Sequence, residues 1–211
     1  MKTAIALFDG FTALDAIGPY EVLQRLPGFE TVFVAERTGV HRTDTGVVGL
    51  YADATFDEVD RPDVVVIPGG PGTRHGFNDA LLEWVKRVHE TTQWTTSVCT
   101  GSLLLGAAGI LNGLRATSHW MALDQLPALG AEPTLERVVI QGKVITAAGV
   151  SSGIDMALTL ASLIAGEGVA QAIQLGIEYD PQPPFNAGSP EKAPPEIVDL
   201  VRSLMAPSMT G

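Results

Sequence analysis

The run Val64-Val-Val-Ile67, closed at once by Pro68-Gly-Gly70, limits this chain to few architectures. A strand points successive side chains to opposite sides of its sheet, so four aliphatic residues in a row need apolar cover on both faces. Thr3 to Phe8, bounded by Asp9-Gly10, and Thr95 to Val98 read as buried strands of the same kind. Helical patterns separate them: Val22, Leu23 and Leu26 after Pro19, ending near Pro27-Gly28; Asp79 to His89; and Thr100 to Leu111, closed by Asn112-Gly113. Strands alternating with helices predict an α/β domain built on a mostly parallel sheet with helices on both sides.

The remaining segments fit around that frame. Thr31 to Ala35 is a further strand, and Val47 to Phe56 reads as peripheral β-structure. A helix is expected around Trp120 to Leu126, then a hairpin in RVVIQGKVITA turning at Gln141-Gly142, then adjoining helices at 151–165 and 168–178. The 211 residues suit one domain, 1–211, within which 179–211 forms a proline-rich arm and a terminal helix from about 195 to 205.

Composition excludes several function classes. A net charge of −11 without a basic stripe argues against a nucleic-acid partner. The apolar run in MKTAIALFDG is too short for a signal peptide, and no segment has the 18 or so apolar residues of a membrane span. A cytoplasmic protein with no membrane partner is the expectation. A single cysteine excludes an internal disulfide, a CxxC pair and a multi-cysteine zinc site. No histidine-acid cluster suggests a metal, and PGGPG lacks the lysine and hydroxyl residue of a phosphate-binding loop, so neither metal nor cofactor is expected.

That one cysteine, Cys99, stands in SVCTG, where the strand pattern turns into a helix pattern. Ser97 and Gly101, two residues to either side, are small, as a sharp strand-to-helix turn with an exposed nucleophile requires. Such an elbow sits at the carboxyl end of a strand, where open parallel sheets concentrate their chemistry. A helix N-terminus would favour the thiolate and lower the thiol's pKa. The competing reading is a small buried hydrophobe, the common fate of a free cysteine.

SVCTGSLLLGAAGIL, taken with IPGG, LDAIGPYEVL, RATSHW, GVSSGIDMALTLA and EYDPQPPFNAGSP, resembles the ThiJ/PfpI superfamily of class I glutamine-amidotransferase-like proteins. Within it the combination of LD…GP, VCTGS and PPFNAGSP is most similar to the isocyanide (isonitrile) hydratases. The resemblance runs from the first strand to about residue 190. It implies a flavodoxin-like three-layer sandwich and a homodimer with its active site near the subunit interface. It also implies Cys99 as nucleophile, Asp15 as the facing acid, and Thr100 as neighbour in the active-site turn. Gly70 and Val150 fall where backbone amides approach the thiolate or the developing charge. The implied reaction adds water to R–N≡C, a small-molecule substrate, and gives an N-substituted formamide through a Cys99 thioimidate.

Other residues are weighed beside these. Asp15, among Leu14, Ala16 and Ile17, is either a helix N-cap or a carboxyl whose pKa is raised by apolar surroundings. His41, His75 and His89 read as surface residues, and His119 is either an active-site group or a helix brace. Trp120 and Phe185 are candidates to accept an organic substituent, or ordinary packing residues. Thr100 stands where superfamily proteases carry histidine, which disfavours amide hydrolysis by a Cys–His dyad. A stand-alone cysteine-based redox or ligand sensor, and a glyoxalase-like enzyme, are the alternative functions.

Overall fold

The computed structural model describes residues 1–74 and 79–205. Three largely buried strands form its centre: β1 (Lys2–Ala6), β6 (Val64–Ile67) and β7 (Trp94–Val98). They are joined on one side by β2 (Glu30–Ala35) and β5 (Ala54–Thr55), and on the other by β10 (Val138–Gln141) and β11 (Val144–Ala147). The order is β10-β11-β7-β6-β1-β2-β5, and every pairing is parallel except that of β10 with β11. All four β6 side chains are buried, as a doubly covered strand requires.

Helices α1 (Ala13–Leu23) and α4 (Ser152–Ala165) pack on each other, with α5 (Glu167–Gly176) against α4. Helix α2 (Asp79–His89) packs with α3 (Gly101–Ala107). The result is the flavodoxin-like sandwich, a mostly parallel sheet between helical layers. Chain progression reverses at β1, whose neighbours are β2 on one side and β6 on the other. A crevice therefore opens beyond the carboxyl ends of β1 and β6, the place where such sheets bind ligands.

Several elements depart from expectation for physical reasons. Helix α3 stops at Ala107 rather than Leu111, because Ala108 caps it and Gly109 turns left-handed at φ 77°. The segment Trp120–Gln125 is a 3-10 turn, not an α-helix. Two ribbons pair outside the main sheet: an unexpected β3 (Gly39–Arg42) with β4 (Gly49–Ala52), which lies in the peripheral β-structure expected over Val47 to Phe56, and β8 (Arg115–Ala116) with β9 (Glu132–Pro133), both unexpected. The hairpin turn is Gly142-Lys143, one residue later than expected. The arm leads to α6 (Pro195–Met205), which buries none of its residues. His75 lies outside the described residues.

Candidate active site

Strand β7 ends at Val98, and the next residue, Cys99, takes φ 57°, a value L-residues rarely hold. Its N–H donates to the carbonyls of Ala147 and Ala148 at the end of β11, and its own carbonyl accepts from the hydroxyls of Ser102 and Ser118. These bonds over-determine the strained elbow, the condition under which strain persists at functional sites. Gly101 is required next: a Cβ there would collide with the Ile67 carbonyl oxygen and lie 2.9 Å from that of Pro68. The absence of a side chain lets α3 start directly beneath the β6 loop.

Asp15 reaches the same place from α1. It lies in the helix's first turn but is not the N-cap; Thr12 holds that position, and its hydroxyl donates to Asp44 Oδ2 at 3.1 Å. The Asp15 side chain is completely buried. Gly69 N–H donates to its Oδ2 at 2.9 Å, the Cys99 thiol neighbours the carboxyl, and Oδ1 has no hydrogen-bond partner. Pro19, four residues on, has no N–H to donate to the Asp15 carbonyl, so the helix is loosened where the carboxyl must fit.

Burial dominates the electrostatics. It raises the Asp15 carboxyl to about 7, against the lowering effect of the Gly69 N–H and the neighbouring Cys99 thiol and with a further push from the Asp44 carboxylate. The Cys99 thiol, 5% exposed, is likewise pushed up to about 12 by burial and then by the adjacent Asp15 carboxylate. The expected lowered thiol pKa is thus corrected: the N–H groups of Thr100 and Val150 and the Thr100 hydroxyl do favour the thiolate, but desolvation outweighs them. Around neutral pH Cys99 rests as the thiol, while Asp15 is divided between carboxyl and carboxylate. Negative charge reaches sulfur only when its proton leaves.

The sequence-derived residues are brought together with one redistribution of roles. Val150 N–H, in the turn between β11 and α4, hydrogen-bonds the thiol, as does Thr100 N–H. Gly70 N–H donates instead to Thr100 Oγ1 at 2.9 Å, and Thr73 Oγ1 donates to the Gly70 carbonyl at 2.8 Å. Gly70 therefore orients the threonine beside Cys99. Its φ of +136° and the closeness of Thr12 N, which a Cβ would approach to 2.6 Å, explain the glycine. Gly69, whose amide holds Asp15, escaped sequence reasoning; its only signal was its place in PGG after a buried strand.

The histidines need correction. His41 is buried, with Nε2 3.0 Å from the Arg37 carbonyl. His89 is half-buried, with Nδ1 2.8 Å from Thr95 Oγ1. His119 caps the 3-10 turn, its Nδ1 accepting from Met121 N–H at 3.3 Å, and its ring lies against Trp120 at 5.9 Å between centroids. Trp120 is covered in turn by the Arg202 guanidinium, 5.6 Å from its ring centroid, and Phe185 is 79% exposed on the arm.

Comparison with known proteins points the same way. Residues 1–163 match the model of the DJ-1/PfpI family. The chain is 42% identical, over 99% of its length and 92% of the relative's, to an isonitrile hydratase of Pseudomonas putida. A second relative, the HTH-type transcriptional regulator CdhR of Pseudomonas aeruginosa, is 30% identical over 82% of this chain, which spans about half (53%) of the regulator. The crystal structure of a ThiJ/PfpI family protein from Pseudomonas syringae superposes with a TM-score of 0.93 at 36% identity, covering 97% of this chain and 86% of that one. A buried cysteine elbow, its facing acid and this sheet order accompany a family match over more than three-quarters of the sequence, and the chain belongs to the DJ-1/PfpI family.

Proposed function

We propose that this protein hydrates isocyanides to N-substituted formamides, with Cys99 as nucleophile and Asp15 as the proton carrier. The observation that carries the reading is the pairing of the buried Asp15 carboxyl with the buried Cys99 thiol, where burial raises the carboxyl to about 7. Similarity to the Pseudomonas putida isonitrile hydratase supports the substrate class.

The chemistry needs only these two side chains. The Asp15 carboxylate takes the thiol proton as sulfur bonds to the terminal carbon of R–N≡C, and the same proton passes to that carbon, leaving the thioimidate R–N=CH–S–Cys99. The Thr100 and Val150 amides stabilise sulfur as charge develops on it. Asp15 then removes a proton from water as oxygen adds to the carbon, and delivers that proton to nitrogen. The C–S bond breaks, the hydroxyl proton returns to sulfur by way of Asp15, and R–NH–CHO leaves. Water is the only co-reactant, and the residues end as they began. Thr100 is the positioning neighbour, held by Gly70.

The test is direct. Purified protein incubated with a simple alkyl isocyanide should release the N-alkylformamide, followed by mass spectrometry. Cys99→Ala should fold and lose at least about a thousandfold of that activity, as removal of a covalent nucleophile demands. Substantial formamide from Cys99→Ala would overturn the covalent route.

The proposal includes action in the cytoplasm as a single-domain homodimer. No described helix is long and apolar enough to cross a membrane. Leu163 on α4, Leu175 on α5, and Leu200 and Leu204 on α6 leave large apolar side chains exposed, which supports a second subunit as their cover.

A further inference from the structure

The thiol's two backbone donors are held in different ways. Thr100 belongs to the elbow itself. Val150 belongs to the separate turn Ala148–Ser151, whose position depends on what grips it. Inside, the turn presses on His119: a Cβ added to Gly149 would lie 2.9 Å from His119 Cδ2. Outside, Ala148 N–H donates to the Arg137 carbonyl at 2.9 Å. The Arg137 guanidinium then bridges two points on the far side of Val150. One nitrogen donates to Ser151 Oγ at 3.2 Å, and Nε donates to Asp155 Oδ2 in the first turn of α4. Asp155 Oδ1 accepts from the Tyr179 hydroxyl at 3.1 Å, which ties the start of the proline-rich arm to the same brace.

We propose that Arg137 is a positioning residue for the Val150 amide: its carbonyl and guanidinium clamp the Ala148–Ser151 turn at both ends, with Asp155 and Tyr179 holding the guanidinium in place. Stability is a weak rationale for this arrangement. Arg137 is half exposed, and ion pairs at such exposure contribute little to stability. The geometry is specific, however, because a planar guanidinium addresses Ser151 and Asp155 at once, and a lysine ammonium on a flexible stem does not reproduce that fork. The Val150 amide in turn has a demanding task. It faces a sulfur whose burial opposes charge, so a displaced N–H is felt directly at the thiolate.

The turnover part of this inference rests on the proposed hydration; the thiol-reactivity part does not. The experiment therefore measures both. Iodoacetamide alkylation of Cys99 at one fixed pH, and isocyanide turnover, are followed for the full-length protein and for Arg137→Ala, Arg137→Lys, Ser151→Ala and Tyr179→Phe. Arg137→Ala should slow alkylation about tenfold, the effect of one unit in the thiol's pKa, and lower kcat similarly with KM little changed. Ser151→Ala removes the bridge and keeps the guanidinium charge, so a slowing there reports geometry rather than field. Arg137→Lys should recover only part of the rate, and Tyr179→Phe, which removes only the outer bond to the Asp155 carboxylate, should lose less, about threefold. Wild-type alkylation in both Arg137→Ala and Ser151→Ala would overturn the proposal, whatever their melting temperatures. Slowed alkylation in a protein that makes no formamide would uphold the positioning role and sink the hydratase reading instead.

Discussion

Asp15 carries a thermodynamic cost that can be measured apart from catalysis. Burial raises its carboxyl from 3.8 to about 7, so the fold prefers the protonated form. The cost is absent below about pH 4, grows as pH rises toward 7, and is then constant, on the order of 4 kcal/mol for a shift of about three units. Asp15→Asn keeps the shape and never ionises. It should therefore gain stability over the natural protein in urea melts at pH 8 and much less at pH 5, while losing about a hundredfold or more of formamide production. An equal stability difference at both pH values would contradict the buried, raised carboxyl. Both residues of the pair were legible in the sequence, Cys99 from its elbow and Asp15 from the family pattern. The thiol's raised pKa was not: a helix N-terminus is a local signal, whereas the burial of the sulfur depends on how the whole fold closes over it. His41 was missed for the same reason, since its cover is formed by segments distant in sequence.

At the scale of elements, the aliphatic strands and the longer helices could be read because their periodicity is intrinsic to the segment. Helix α2 has its expected limits, Asp79–His89, and β4 lies within the expected peripheral β-structure, whereas β3 and the β8–β9 ribbon owe their existence to pairing partners that no local pattern reveals. The close seat of α3 under β6 offers a sharp test of non-local packing. On helix propensity alone, Gly101→Ala should stabilise by about 0.5–1 kcal/mol. The added Cβ would instead overlap the Ile67 carbonyl oxygen and crowd that of Pro68, backbone atoms on which the Asp15-binding loop depends. The expected outcome is a loss of about 3 kcal/mol or more, with the Cys99 elbow displaced and activity falling beyond what unfolding explains. A neutral or stabilised Gly101→Ala variant, measured by denaturant melts, would show that β6 and α3 are less tightly juxtaposed than described.

For the whole molecule, the parallel sheet delivers Asp15 after β1, Gly69 and Gly70 after β6, Cys99 after β7 and Val150 after β11, so residues 135 positions apart converge on one crevice. The exposed apolar side chains of α4, α5 and α6 lie away from that logic and predict a dimer; sedimentation should give a species of twice the chain mass, and an active monomer at all concentrations would contradict it. The central claim is that sulfur bonds to the isocyanide carbon. It is tested most directly by acid-quenching the enzyme during turnover of an alkyl isocyanide and weighing the intact protein and its Cys99 peptide. The account predicts an adduct equal to the mass of one isocyanide, confined to that peptide, decaying as formamide appears and absent from Cys99→Ala. Formamide production with no adduct at any quench time, both in the natural protein and in the slower Asp15→Glu variant, would contradict it.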